Sequence, residues 1–155
     1  MQKKTISKDT PLAEITFRRY EKPAELSKRE IVRKLCLSLG LLQPGDSRDV
    51  IVDILHVLLD ARKAKKELSS IEIEKKVIEI RKEHKLQLAG VASSNIRRQI
   101  KRLRASLLVE KSLNNYRVTE FLPLSEIFEE NVEKFLLPSI INRIKEHCRK
   151  ADELF

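Results

Sequence analysis

Apolar residues recur at helical spacing in five stretches of the chain and at alternating spacing in one. Ser27 opens the first helical stretch, with Glu30 three residues later as its capping-box partner, and Ile31, Leu35 and Leu39 follow at i, i+4 and i+8. Gly40 fits the helix stop. Gln43-Pro44-Gly45-Asp46 places Pro and Gly at the two central positions that a type II turn prefers. Ser47 is the expected cap of the next helix, with Asp49 well placed for the helix dipole. Val50, Ile51, Ile54, Leu55, Val57, Leu58 and Leu59 make that helix apolar on most sides, so it should be the buried centre. His56 falls within this run and reads as a core or boundary histidine. Ser69 and Ser70 start a further helix to about His84, striped by Ile73, Val77 and Ile80. Residues 85–92 connect, with Gly90 as the bend. Ser93 is the expected cap of a helix in which Ile96, Ile100, Leu103 and Leu107 form a narrow stripe.

After Leu107 the period drops from 3.6 to about 2. Residues 108–111 and 116–119 are strand candidates, and the intervening Ser112-Leu113-Asn114-Asn115 suits a tight hairpin because Asn tolerates left-handed backbone. Residues 1–22 read as an arm, with a short strand at Ile15–Tyr20. Residues 120–155 form an apolar-striped helical segment through Ile127, Phe128, Val132, Phe135, Leu136, Ile141, Ile144 and Cys148. Pro138 lacks an amide donor, which predicts a kink or two consecutive helices. Helix, helix, basic helix and hairpin in that order predict a mainly α protein with a small β-hairpin: a winged helix-turn-helix at 47–119. Residues 1–46 add an N-terminal arm and helix, and residues 120–155 add a C-terminal packing or dimerisation segment.

Charge sharpens this picture. The net charge is +9 at pH 7. Residues 91–117 hold seven Lys/Arg against Glu110 alone, whereas residues 118–155 are net acidic. A solvated helix face usually mixes its signs. A one-sign block inside a folded segment more often meets a polyanion.

Other chemistries find little support. Gly40, Gly45 and Gly90 are isolated, so no glycine-rich loop is available to cradle a phosphate. His56, His84 and His147 do not fall at metal-ligand spacing, and no Ser/His/Asp arrangement stands out. Cys36 and Cys148 read as reduced, half-buried core residues. The sequence therefore predicts no enzyme, no cofactor, no metal and no identifiable small-molecule effector. With no apolar run of membrane-spanning length and no signal peptide, it reads as soluble and cytoplasmic.

The basic helix suits a DNA major groove, which admits one helix with long polar donors on its outer side. The first turn of such a helix reaches base edges, here with Ser94, Asn95, Arg97 and Arg98. Arg can bond guanine bidentately, and Asn can do the same with adenine. Ser93, Lys101, Arg102 and Arg104 suit phosphates. Lys111 and Arg117 flank the hairpin and reach toward adjacent backbone or groove. Tyr116 is either a phosphate donor or a buried hairpin residue.

The segments "LSKREIVRKLCLSLGLLQPGDSRDVIVDIL" and "GVASSNIRRQIKRLRASLLVEKSLNNYRVTEF" resemble a family of archaeal predicted transcriptional regulators with a helix-turn-helix domain. The resemblance covers most of the chain. It implies a winged helix fold and DNA binding, and gives no operator, effector or catalytic residue. The leading expectation is a sequence-specific regulator of double-stranded DNA. The alternative is a winged module that binds protein or RNA within a larger assembly. Two readings of the C-terminal stripe also stand. Phe128, Val132, Phe135, Ile141 and Ile144 form a homodimer interface, or the helix at 27–39 covers them within a monomer.

Overall fold

The computed structural model describes residues 9–155, so the first eight residues of the expected arm lie outside it. The protein is mainly helical, with one small antiparallel sheet. Its elements are α1 (Lys28–Ser38), α2 (Val50–Lys63), β1 (Leu68–Ser69), α3 (Ser70–Glu83), α4 (Ser93–Ala105), β2 (Val109–Ser112) and β3 (Asn115–Val118). A helical C-terminal segment follows, made of α5 (Leu124–Ile127), a π-helical stretch (Phe128–Leu136) and α6 (Leu137–Leu154). The strand order is β1-β3-β2.

α2 is the central helix. Val52, Ile54 and Leu55 have no solvent exposure, and α1, α3, α4 and β3 all pack against it. One apolar core runs from Val32 and Cys36 on α1 to Ile127 on α5. α1 buries Val32, Cys36 and Leu37 together with Arg29, while Ile31 stays 39% exposed. The predicted stripe was therefore set one residue off, because an arginine occupies the first position of the buried face.

Several local signals hold. Ser27 Oγ accepts from the Glu30 amide, which is half of the capping box expected there, and Ser69, expected only to start its helix, makes the complete box with Glu72. Gly40 and Gly90 both take left-handed φ, +71° and +88°. At Gly40 a side chain would also strike the carbonyl of Thr16, where the arm crosses. Asp46 N–H donates to Gln43 O at 3.1 Å with Gly45 at φ +77°, the expected turn.

Others do not. The N-caps of α2 and α4 are Asp49 and Ala92, so neither Ser47 nor Ser93 caps. Asp49 turns its carboxylate inward to arginines, and the Ser93 hydroxyl donates to Glu74 Oε2 at 2.8 Å. Residues 15–20 form no strand. They are tied down instead by Arg18, whose N–H bonds Ser38 O and whose guanidinium bonds the carbonyls of Leu37 and Leu42 near the α1 C-terminus. β1 was not expected: two residues pair with β3, Leu68 opposite Tyr116 and Ser69 opposite Asn115. The hairpin turns at Leu113-Asn114, and its left-handed residue is Leu113 (φ 57°) rather than an asparagine.

Pro138 starts α6 without a break: backbone angles at Ile127, Phe128, Leu136 and Leu137 stay right-handed helical. The hydrogen-bond span widens instead, and the Leu137 N–H donates to Val132 O, five residues back. A five-residue span winds the chain less per residue. The body-facing residues therefore recur at fours, as Phe128, Val132 and Leu136, and Phe135 is left 69% exposed. Phe128 packs against Phe17 of the arm, ring centroids 5.9 Å apart, and Val132 is buried. Ile141 and Ile144 remain 40% and 55% exposed, and α6 buries no residue. The body thus covers Phe128 and Val132 of the stripe and leaves Phe135, Ile141 and Ile144 bare. Cys36 is fully buried, whereas Cys148 is exposed, contrary to the reading of both as half-buried. No described helix is long and apolar enough to cross a membrane.

Candidate nucleic-acid interface

α4 divides into two faces. Ile96, Ile100 and Leu103 are at most 1% exposed and lock one face onto the core. Arg97, Arg98, Lys101, Arg102 and Arg104 are exposed on the other, as is Ser94. Among the described residues, none of these five cations forms an ion pair with a carboxylate. Their hydrogen bonds stay within the helix: Arg97 to Ser93 O, Arg98 to Asn95 Oδ1 at 2.9 Å and Arg102 to Gln99 Oε1 at 2.9 Å. The first turn carries no acidic residue to offset the positive end of the helix dipole.

The structure separates the predicted site residues into free and engaged groups. Asn95 is half-buried. Its amide nitrogen donates to Gly90 O at 2.7 Å, and its oxygen accepts from Arg98 and Gln99. Both amide atoms are therefore spent on fixing the α3–α4 turn and the first turn of α4. Arg117 is bound to Glu110 at 2.7 Å and Glu67 at 3.4 Å, and it lies over the Phe121 ring. Lys111 is exposed on β2, its ammonium 5.9 Å from the ring of the half-buried Tyr116. Arg48, absent from the sequence reading, lines one polar cleft with Arg98 and Arg102, between the α1–α2 loop and α4. Its signal was its place one residue ahead of the α2 N-cap, beside the turn.

A buried charge cluster reaches the connection that leads into α4. Asp53 on α2 has no solvent exposure and accepts from Arg29 at 2.9 Å and Arg81 at 2.6 Å. Asp49 accepts from the same two arginines at 3.0 and 3.1 Å. Arg81 Nε then donates to Gln87 O at 2.6 Å, inside the connection to α4. Four buried charges thus pin α1, α2, α3 and the turn together. Burial works to raise the Asp49 carboxyl, but hydrogen bonds from Arg29 and Arg81 outweigh it and hold the group below its ordinary range. Burial likewise works against charge on Arg29, and the bonds to Asp53 and Asp49 leave its pKa raised. Burial pushes the Cys36 thiol up to about 12. The sequence reading missed this cluster, whose one signal was Asp53 within the apolar run VIVDILHVLL.

Among the described residues, no group of three His, Cys, Asp or Glu could hold a metal ion. The chain matches no family model, no curated protein and no solved structure.

Proposed function

We propose that the protein is a sequence-specific transcriptional regulator of double-stranded DNA, acting as a homodimer. In this reading α2, α3 and α4 with the β2–β3 hairpin form a winged helix-turn-helix. The observation that carries it is the cationic face of α4: five unpaired cations on a helix whose other face is anchored in the core. Helix and wing have complementary tasks. Arg97, Arg98 and Ser94, in the first turns of α4, reach base edges in the major groove. Lys101, Arg102, Arg104, Arg48 and Lys111 hold phosphates. Asn95 acts as a positioning residue, because its amide holds the turn and orients Arg98. Arg117 braces the hairpin. A single such unit reads few base pairs, so two copies on neighbouring half-sites supply the specificity.

One observation favours the second reading, a winged module that docks onto protein or RNA. Leu113 at the hairpin tip is 92% exposed. A lone leucine is a small docking surface beside a continuous cationic helix, so DNA remains the better fit.

Titration of duplex DNA across a range of salt tests the charge argument. Each phosphate contact adds roughly 0.9 to the log–log slope. Several contacts give a slope above about 3, and a slope below about 2 would mean that α4 is not the binding face. Selection from random duplexes tests the rest: a shared motif is expected, and near-random recovery would favour the second reading.

A further inference from the structure

α6 is a regular helix of 18 residues with no buried residue. A seam of apolar positions runs along it at Leu137, Ile141, Ile144, Cys148, Ala151 and, just past its end, Phe155, with Ile140 and Leu154 beside it. The intervals are four, three, four, three and four, the a/d spacing of a two-stranded supercoil. The same seam is open: Ile141, Ile144 and Cys148 are exposed, and Phe155 is fully so. The preceding turns are held to the body through Val132 and Phe128. The seam therefore starts from a fixed root and projects about 27 Å at 1.5 Å per residue.

We propose that α6 pairs with α6 of a second copy of this chain, parallel and in register, along this seam. The proposal rests on the two-copy reading above and specifies its geometry. Charge decides the direction. In a parallel pair, a g position faces the e position five residues later on the partner helix. With Ile141 and Cys148 at a, His147 is at g and Asp152 at e, so each imidazole meets a carboxylate across the interface. In an antiparallel pair e faces e, so with full overlap Lys145 meets Lys145 of the copy and Asp152 meets Pro138, and neither contact is complementary. A parallel pair also keeps both bodies at the same end of the rod, where their α4 helices can address adjacent half-sites. An antiparallel pair would hold them at opposite ends. In the parallel register Cys148 stands at a, opposite its own copy.

Light scattering and thiol cross-linking of the full chain test this without DNA. The expected mass is twice the 18.0 kDa of one chain at micromolar concentration. Treatment with copper–phenanthroline should join Cys148 to its copy at least tenfold faster than in Ile144→Asp, which sets the collision rate. Cys148→Ser should keep the doubled mass and lose the cross-link, since Cys36 is fully buried. A single-chain mass overturns both the pairing and the two-copy reading. A doubled mass with cross-linking no faster than in Ile144→Asp overturns the parallel register alone. Neither outcome bears on whether the chain binds DNA, which the salt titration reads independently.

Discussion

Arg81 and Arg98 carry the same guanidinium on neighbouring helices, yet one is 1% exposed and bonded to two aspartates and a backbone carbonyl, while the other is exposed and, among the described residues, bonded to a neighbouring side chain alone. The core set, Arg29 and Arg81, is matched by Asp49 and Asp53 and neutral as a group. The surface set on α4 pairs with no carboxylate among the described residues. A buried ion pair is seldom a net gain over apolar packing, but removing one member strands the rest. An exposed arginine, by contrast, adds little to folding and is left free for a ligand. Equal residues in one sequence thus serve either to fix the scaffold or to meet a partner, and burial separates them.

The sharpest break of this comparison is Asp53→Ala. It leaves Arg29 and Arg81 short of their shared acceptor in the core, and the unfolding free energy should drop by about 3–5 kcal/mol in denaturant titration. A loss under about 1 kcal/mol would mean that the cluster is not a structural unit. Arg98→Ala should do the reverse. Stability should change by no more than about 0.5 kcal/mol, while affinity for a selected DNA site falls by on the order of 1–3 kcal/mol. Arg149→Ala, on the exposed α6, should leave that affinity unchanged. Equal binding by the two variants would remove Arg98 from the interface.

The smallest effect concerns pH. The Asp49 carboxyl is held below its ordinary value, so its stabilisation is complete above about pH 4 and is lost as pH falls through the folded-state value. In Asp49→Asn the acid limb of the stability curve should be shallower than in the parent, even though the variant is less stable at neutral pH. Parallel acid limbs in the two proteins would assign the pH dependence to other carboxylates.

The same contrast explains what the sequence could convey. The stripe Ile96, Ile100 and Leu103 and the cations between them were readable, because a helix with one sign of charge and one apolar edge has only one way to sit on a core. The cap at Ser27, the helix start at Ser69 and the turn at Gln43–Asp46 were readable because their chemistry is local. Arg81 continues the stripe of Ile73 and Val77 at i+4, yet a cation there reads as a helix-end residue until its carboxylate partners at Asp49 and Asp53 are in view. Asp49 resembled a dipole-stabilising residue for the same reason: its true partners are distant in sequence. Residues 68–69 are too short to show an alternating pattern, and only β3 makes them a strand. Spacing at 3.6 residues per turn sets Phe135 in one stripe with Phe128 and Val132, and the wider turns around it separate it from the face that the body covers.

The crossing of Thr16 over Gly40 ties the arm to the end of α1. The arm has nowhere to lie unless α1 has ended in its left-handed turn, since Arg18 draws its acceptors from Leu37, Ser38 and Leu42. It is therefore a latch over the end of α1. Beneath it lie Leu39, Leu41 and Leu108, and beside it Val132. Any side chain at position 40 would hold the latch ajar, and water would reach the joint between the cationic helix and the C-terminal rod while the remainder of the core stayed shut.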